Sequence, residues 1–584
     1  MSLQLSVNHF LSSSATPKFP LPRLQIKTCV IKRVVSVHSQ TISSEPEVRR
    51  SANYKPNLWD YESLMSLSSE YKEDMHRRKV NELKENVRQL INGSVGTEGV
   101  LDTIDAVKRL GVGHHYEKEI KTALDNIFLN GSQWSSKDLH TTSLAFRLLR
   151  QHGYDVHIDV FDNYVDENGN LKTCHSKDYK GLLSMYEASY FGLEDEDFMD
   201  EVKIFTAKYL KEFEGDANST LAKKIFHALE LPQHWRISRL ESLWYIDTYE
   251  SEENMIPVLL DLAKLDYNIV QATQHTEIGR LTRWWVDLGI HKMDFFRNRI
   301  LEHYFWSLGM VPEEQYGLCR VGLAQVTQLI TLIDDIYDVY GTYDELLLFT
   351  EAVERWEVSA MEKLPQYMKL VYMTLLNVHN ELAYEILRDQ AFDITPHQKK
   401  AWVDLCHAYI LEAKWYRQGY KPTLKEFLGN SLTSSSGFLM IMTSYYLTTD
   451  KITKEALNYI ESTPSLIYNS VAVLRLADDL GTSTDEMARG DVPKSVQCYM
   501  HEAGVSEEVA REHVKYLINE AWKKINTALL EPHPFSDHFV NGVPSIGRHA
   551  QCMYLYGDWH GAPDQGTVDH LKSLMVRPIS LGSK

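Results

Sequence analysis

Apolar residues recur at spacings of three and four along most of the chain after residue 60, with polar faces between them. The stretches 80–91, 101–110 and 143–151 show this pattern plainly, and such spacing places the apolar side chains on one face of an α-helix. The alternation of period two that is typical of strands is nearly absent. The pattern therefore predicts an all-α protein of stacked antiparallel helices.

Glycine and proline mark the breaks between the helical stretches. They fall at Gly111 and Gly113, at Gly153, in the turn 166–169 and at Leu231-Pro232, and these residues end helices or form turns. A second set of helical patterns begins near Leu259. Because 584 residues can fill more than one core, we predict two helical domains, over residues 49–262 and 263–584.

The N-terminal segment has a different composition from the rest of the chain. Residues 1–44 contain twelve Ser or Thr, five Lys or Arg and no Asp or Glu. Hydroxylated, basic and acid-free N-termini are typical of organelle transit peptides, and an ordinary disordered tail is the alternative. We predict a transit peptide over residues 1–48 that directs the protein to the plastid, into the chloroplast stroma.

Charge and cysteine content narrow the possible partners. The net charge of -19 leaves no general basic surface for a nucleic acid. The six cysteines are scattered singly without a CxxC pair, which favours a reducing compartment over a disulfide framework or a zinc module. We find no apolar run of about 18 residues or more, so we predict no membrane span. We also expect a monomer.

Two polar segments interrupt apolar helical stretches. In the first, the apolar run 329–333 leads into Asp334, Asp335 and Asp338, and two acids four apart share a helix face. Clustered carboxylates on an apolar wall need a counter-ion, and oxygen ligands that leave room for water and phosphate are typical of Mg²⁺. A solvated helix end is the alternative.

The second segment carries Asp478, Thr482 and Glu486 at spacings of four. This spacing aligns three oxygen ligands on one stripe of a helix, and the triad suits a hard divalent cation. Arg475 lies on nearly the same face, and Lys494 follows a turn that could close over an anion. A capped, exposed helix is the alternative, although it does not explain the apolar residues that precede the triad.

Arginines and aromatic residues supply the remaining candidates. Arg297 and Arg299 precede Asp334 by 37 and 35 residues; at a helix end or on a loop both can bind phosphate oxygens. Trp306 belongs to an aromatic patch that could face a carbocation, with core packing as the alternative. Farther upstream, Arg49 and Arg50 open a non-helical arm ending in an aromatic anchor, or they are a remnant of the transit peptide.

Together these motifs resemble the plant terpene synthases, specifically the angiosperm monoterpene synthase group. The resemblance covers the chain after the transit peptide. It rests on an RRx8W arm, an RxR pair, a DDxxD motif and a second metal motif of the form (N/D)Dxx(S/T)xxxE. The corresponding residues are Arg49, Arg50 and Trp59; Arg297 and Arg299; Asp334, Asp335 and Asp338; and Asp478, Thr482 and Glu486.

The resemblance implies a C-terminal domain with the class I terpenoid synthase fold and an N-terminal relict α-barrel domain. It further implies three Mg²⁺ ions, or Mn²⁺, that bind a prenyl diphosphate, with geranyl diphosphate favoured by the arm. The implied metal ligands are Asp334, Asp338, Asp478, Thr482 and Glu486. The implied diphosphate ligands are Arg297, Arg299, Arg475 and Lys494. Asp335 would orient an arginine or a metal-bound water, Trp306 would lie beside the cation, and Arg49 and Arg50 would close the site and aid isomerisation before cyclisation.

Some features depart from the family pattern, and alternatives remain. Asn298 stands where an acid is common, and Trp559 stands where glycine is frequent. Thr327 and the residues 469–471 provide no bulky Phe of the kind that shortens isoprene synthase cavities. We therefore expect geranyl diphosphate to be ionised and its cation cyclised, deprotonated or captured by water. A sesquiterpene synthase acting on farnesyl diphosphate and an isoprene synthase are the alternatives.

Three further classes fit less well. A metal-independent isoprenoid-binding scaffold would not need an intact ligand set. A chain-elongating prenyltransferase would carry two DDxxD motifs. A calcium-binding loop starting at Asp334 would need a ligand and a glycine where Ile336 and Val339 stand.

Overall fold

The structure is a computed structural model that describes residues 49–130, 134–135, 137–167, 171–488, 492–555, 557–560 and 563–581. The predicted transit peptide lies outside these residues, as do Asn168 and Gly169 of the turn predicted at 166–169. The described residues contain no strand, and an isolated bridge between Val165 and Leu171 is the nearest approach to one. The predicted all-α class is confirmed.

The N-terminal part of the chain ends in a long helix that it shares with the C-terminal part. The helices of this part are α1 (Tyr61–Met65), α2 (Asp74–Gly93), α3 (Thr97–Arg109), α4 (Glu117–Leu129), α5 (Leu139–Gln151), α6 (Tyr179–Ser189), α7 (Asp197–Lys211), α8 (Thr220–Glu230), α9 (Ser238–Tyr249) and α10 (Pro257–Leu288). The three stretches with the plainest apolar periodicity lie in α2, α3 and α5.

The C-terminal helices contain both acidic segments. They are α11 (Ile300–Met310), α12 (Gly317–Asp335), α13 (Tyr343–Arg355), α14 (Gln366–Gln390), α15 (Thr395–Gln418), α16 (Leu424–Ser434), α17 (Gly437–Thr448), α18 (Lys454–Glu461), α19 (Ser465–Ala488), α20 (Ser495–Ala503), α21 (Glu507–Ala528), α22 (Asp537–Gly542), α23 (Ser545–Tyr554) and α24 (Gln565–Met575). A π-helical turn, Ile336–Tyr340, follows α12 directly.

Helix α10 joins two hydrophobic cores. Its first half packs into the N-terminal core through residues such as Leu259 and Ala272, and its second half packs into the C-terminal core through Ile278 and Trp285. The predicted boundary between residues 262 and 263 falls inside this helix. Proline in its first turn and Gly289 at its end, with φ of +70°, set the helix limits.

Helix α12 runs through the C-terminal core and carries the first acidic segment. It packs against α11, α14 and α17, and most of its side chains are buried. By length and composition, 314–340 is apolar enough to cross a membrane, although 78% of the apolar window is buried inside the protein. A core helix of this kind explains its apolar character without a membrane.

Candidate active site

The first acidic segment (Asp334, Asp335 and Asp338) lies where α12 changes into the π-helical turn. The sequence predicted a continuous α-helix through Asp338, but α-helical geometry ends at Asp335. The turn is closed by the backbone N–H of Gly341, which donates to the carbonyl of Ile336 at 2.8 Å. Single π-helical turns of this kind are rare and frequently mark functional sites.

Asp335 is fully buried and is paired with Arg297. One carboxylate oxygen accepts from the backbone N–H of Arg297 at 2.8 Å, and the other accepts from its Nε at 2.7 Å. The same guanidinium also donates to the more exposed Asp334. Burial raises the pKa of Asp335 to about 6 in spite of the arginine. Arg297 thus links two of the three acids from a non-helical segment just before α11.

Arg299 is also buried, and it donates hydrogen bonds to backbone carbonyls. Its Nε donates to the carbonyl of His560 at 2.7 Å, and a terminal nitrogen donates to the carbonyl of Lys55 at 3.0 Å. Arg299 therefore joins the N-terminal arm to the segment after α23. The two arginines of the RxR pair precede the first turn of α11, at a helix end as the sequence analysis allowed. Their hydrogen-bond partners are different.

The N-terminal arm lies across the end of α12. Arg49 donates to both carboxylate oxygens of Glu345, at 2.7 and 2.8 Å, and to the carbonyl of Tyr340 at 3.0 Å. Arg50 donates to the carbonyl of Asp338 and lies over the ring of Tyr416. The predicted arm is thus seated on the residues that follow the first acidic segment.

Aromatic residues anchor the rest of the arm. The ring of Tyr54 lies 5.0 Å from the guanidinium carbon of Arg297, and burial together with the charges of Asp335 and Asp334 raises the pKa of its hydroxyl. The indole N–H of Trp59 donates to the buried Glu302 at 3.0 Å. The sequence did not single out Tyr54, Glu302 or Glu345. The Thr342-x-x-Glu345 pattern that begins α13 was the one available signal, because it forms a capping box.

The second acidic segment (Asp478, Thr482 and Glu486) lies on a continuous helix, α19. Arg475, one turn earlier, pairs with Asp478 and with the buried Asp479. The Nζ atom of Lys494 lies 3.6 Å from Oε2 of Glu486. Residues 489–491 of the turn predicted to close over an anion lie outside the described part of the chain.

The donor set of the second segment fits a hard divalent cation. Burial, with smaller contributions from the charges of Glu486 and Asp479 and against the opposing effect of Arg475, raises the pKa of Asp478 to about 7. Carboxylates crowded in this way attract positive charge, and oxygen ligands suit Mg²⁺ or Mn²⁺. The hydroxyl of Thr482 donates to the carbonyl of Asp478 at 2.9 Å, and its lone pairs remain suited to a metal.

Two bridges connect the acidic segments. On α15, the charges of Asp334 and Asp338 contribute to raising the pKa of Tyr409. Glu412 lies less than one turn later on the same helix, and its charge contributes to raising the pKa of Arg475. In the segment after α23, the charge of Asp558 acts to raise the pKa of both Arg299 and Asp478. The sequence did not assign Tyr409, Glu412 or Asp558 to the site. The acids and arginines of both segments therefore belong to one electrostatic neighbourhood.

The remaining features are the predicted Trp306 and a helix break at Ser434–Gly437. Trp306 is buried on α11, and its ring centroid lies 4.1 Å from that of His549 on α23. Helix α16 ends at Ser434 and α17 begins at Gly437, with Ser436 in the left-handed region at φ of +62°. A non-glycine residue in that region is strained.

Comparison with protein families gives two adjacent matches. The family described as terpene synthase, N-terminal domain, matches residues 58–229. The terpene synthase family metal-binding domain matches residues 286–524, a range that includes both acidic segments and the arginine pair.

Individual relatives match over nearly the whole chain. Terpene synthase 10 of Ricinus communis is 46% identical over 92% of this chain and 99% of its own length. The chloroplastic myrcene synthase of Quercus ilex is 44% identical over 92% of each chain.

Two solved structures are similar in fold. A limonene synthase with 2-fluorolinalyl diphosphate is 39% identical, with a TM-score of 0.89 over 91% of this chain and all of the other. Isoprene synthase from grey poplar, in complex with three Mg²⁺ ions and dimethylallyl-S-thiolodiphosphate, is 40% identical, with a TM-score of 0.83 over 90% of this chain and 99% of the other.

Proposed function

The chain belongs to the terpene synthase family, and from this premise we propose that it is a monoterpene synthase that ionises geranyl diphosphate. The C-terminal helices have the class I terpenoid synthase fold and the N-terminal helices form its companion domain. We assign these domains to residues 263–584 and 49–262, with α10 shared, and regard the N-terminal domain as catalytically silent. The convergence of two acidic segments and buried arginines around Asp558 and α15 carries the proposal.

Ionisation separates an allylic cation from a diphosphate, so the site must stabilise an anion and a cation. Divalent metal, as three Mg²⁺ ions or Mn²⁺, supplies positive charge to the leaving diphosphate. The residues that would hold it are Asp334, Asp338, Asp478, Thr482 and Glu486. Arg297, Arg299, Arg475 and Lys494 bind the diphosphate oxygens, and guanidinium groups keep their charge throughout.

Other side chains act on geometry and on the cation. Asp335 holds Arg297 in position through two hydrogen bonds. The π face of Trp306 stabilises the carbocation and the site excludes water from it. Arg49 and Arg50 hold the arm closed and aid the isomerisation that precedes cyclisation. The reaction ends by deprotonation or water capture, which releases a monoterpene.

Support for a ten-carbon substrate comes from the relatives, which are named myrcene synthase and limonene synthase. The isoprene synthase match keeps a five-carbon substrate among the outcomes to be tested. The experiment is incubation with geranyl, farnesyl and dimethylallyl diphosphate in turn, with Mg²⁺, followed by gas chromatography of the volatiles. Efficient turnover of geranyl diphosphate alone is expected, and preference for either other substrate would contradict the proposal.

We also propose that residues 1–48 direct the protein to the plastid stroma and are dispensable for catalysis. The chloroplastic name of the Quercus ilex relative supports this destination. A chain starting at Arg49 should retain full turnover, whereas a fluorescent protein fused behind residues 1–48 should enter chloroplasts. Cytosolic fluorescence would contradict the localisation.

A further inference from the structure

A line of buried polar side chains lies behind the arginine pair, between α11, α12 and the segment after α23. Gln328 and His303 are fully buried. The side-chain amide nitrogen of Gln328 donates to the backbone carbonyl of Arg297 at 3.2 Å. Its amide oxygen lies 3.0 Å from Nδ1 of His303, and Nε2 of His303 lies 2.9 Å from Nε2 of His560.

The hydrogen-bond partners determine which ring nitrogens carry protons. A backbone carbonyl only accepts, so the amide nitrogen of Gln328 faces Arg297 and its oxygen faces His303. Nδ1 of His303 must then donate to that oxygen, which leaves Nε2 as an acceptor in the neutral ring. Because two lone pairs at 2.9 Å would repel, Nε2 of His560 carries the proton.

This assignment requires that His303 and His560 are neutral, and their surroundings lower the pKa of both rings. Burial and the charge of Arg297 lower the pKa of His303 to about 3. Burial and neighbouring His303, Arg297 and Arg299 lower the pKa of His560 well below its ordinary value. The hydroxyl of Thr331, 3.0 Å from Nε2 of His303, can donate or accept and therefore does not change the assignment.

The line of hydrogen bonds returns to the second arginine of the pair. The backbone carbonyl of His560 accepts from Nε of Arg299 at 2.7 Å. The donors therefore all point the same way, from Arg299 to His560, His303, Gln328 and the carbonyl of Arg297. Hydrogen bonds aligned in one direction polarise one another and strengthen the chain, and a buried network of this kind fixes the geometry of its ends.

We propose that Gln328 and His303 are positioning residues, which hold Arg297 and Arg299 in the orientation that binds diphosphate. We call the hydrogen-bonded set of Arg299, His560, His303, Gln328 and Arg297 the arginine brace. The proposal rests on the diphosphate-binding role given to the two arginines above. The brace connects the backbone of one arginine to the guanidinium of the other, so replacing Gln328 or His303 loosens both arginines while both remain in the chain.

The first test reads the tautomers in the wild-type protein. Histidine labelled with ¹⁵N gives separate long-range ¹H–¹⁵N signals for protonated and lone-pair nitrogens. The signals are assigned by their loss in His303→Gln and His560→Gln. We expect His560 protonated at Nε2 and His303 protonated at Nδ1. The opposite tautomer at either ring, or a doubly protonated ring, would overturn the proposal.

The second test measures binding of inorganic diphosphate in the presence of Mg²⁺ by calorimetry. His303→Leu and Gln328→Leu remove the polar atoms, and each should weaken binding about fivefold, since a net hydrogen bond contributes roughly 1 kcal/mol. His303→Gln retains an amide that can meet both neighbours, so it should recover most of the affinity. A purely structural role would not distinguish Gln from Leu in folded variants.

A matched control is His379→Leu. His379 is equally buried and accepts a hydrogen bond from Trp402, so its loss removes an imidazole without touching the brace and should leave diphosphate binding unchanged. Wild-type affinity in folded His303→Leu and Gln328→Leu, or a His303→Gln that binds no better than His303→Leu, would contradict the brace. Failure of the wild-type protein to bind diphosphate would instead contradict the proposed function.

Discussion

The two acidic segments obtain their positive partners in different ways. At the end of α12, Asp335 is paired with Arg297 from a separate segment, and the arm adds Arg49 and Arg50 from nearly 300 residues away in the chain. On α19, Arg475 pairs with Asp478 one turn later on the same helix. The first segment is therefore assembled by tertiary contacts, whereas the second is largely built into one helix.

This difference changes what each segment contributes. The buried acid of the first segment fixes an arginine by two hydrogen bonds, so it has a structural duty besides any metal binding. The acids of the second segment crowd one another around Asp478, whose pKa is raised to about 7, and they gain most from an added cation. The first segment mainly fixes the position of Arg297, whereas the second mainly concentrates negative charge.

The largest expected effect is loss of turnover when a proposed metal ligand is removed from either segment. Asp334→Ala and Asp478→Ala should each lower the turnover of geranyl diphosphate by about a thousandfold, because electrostatic stabilisation of the leaving group is lost. The exposed neighbour Asp344 provides the control Asp344→Ala, which should retain activity. Near-normal turnover in one of the two variants would confine metal binding to the other segment.

A second prediction concerns stability and separates Asp335 from Asp334. Asp335→Ala leaves the buried guanidinium of Arg297 without its main partner, and breaking a buried pair in this way costs about 3–5 kcal/mol. Asp334→Ala should cost less than about 1 kcal/mol, since its side chain is 29% exposed. Urea unfolding of the metal-free proteins measures both, and equal losses would contradict the structural duty of Asp335.

The third prediction uses pH. An acid whose pKa is raised on folding binds its proton more tightly in the folded state, so stability falls as pH rises from about 4 to about 7 and stays low above that. In metal-free protein at pH 8, Asp478→Asn should therefore raise the Tm by about 1–3 °C, with little effect at pH 4. A lower Tm at pH 8 would show that crowding of charge does not destabilise the second segment.

The smallest expected effect on stability is that of the arm. Arg49→Ala should change the free energy of unfolding by less than about 1 kcal/mol, because the pair with Glu345 is partly exposed. The fraction of cyclic products should nevertheless fall, since the arm holds the site closed. The control Lys55→Ala keeps the backbone carbonyl that Arg299 uses. An unchanged product composition in Arg49→Ala would remove the arm from the mechanism.

Much of the fold was predictable, because helical periodicity is a local property. The pattern along α2, α3 and α5 identified helices, and glycine and proline identified breaks between helices such as those at Gly153 and Pro232. The end of the α-helix at Asp335 was not predictable, since the π-helical turn after it depends on packing around Gly341. A β-carbon on Gly341 would lie 2.7 Å from the carbonyl oxygen of Ile336, so close packing requires glycine there.

The candidate site likewise contains some residues that the sequence could predict and others that it could not. The triad Asp478, Thr482 and Glu486 could be recognised from spacing alone, because successive turns of one helix set its geometry. Tyr54, Glu302 and Gln328 could not, since none of them stands in a pattern that distinguishes it from an ordinary core or surface residue. Each acquires its place through a partner far away in the chain.

The sequence by itself determined the helical class, the residue types of a metal and diphosphate site, and the geometry within α19. Those features depend on interactions across a few residues, which spacing reveals. Only the tertiary structure decided which arginine meets which acid, how the arm crosses α12, and which way the hydrogen bonds run between Arg299 and Arg297. Those arrangements depend on burial and on contacts between distant segments, which no local pattern encodes.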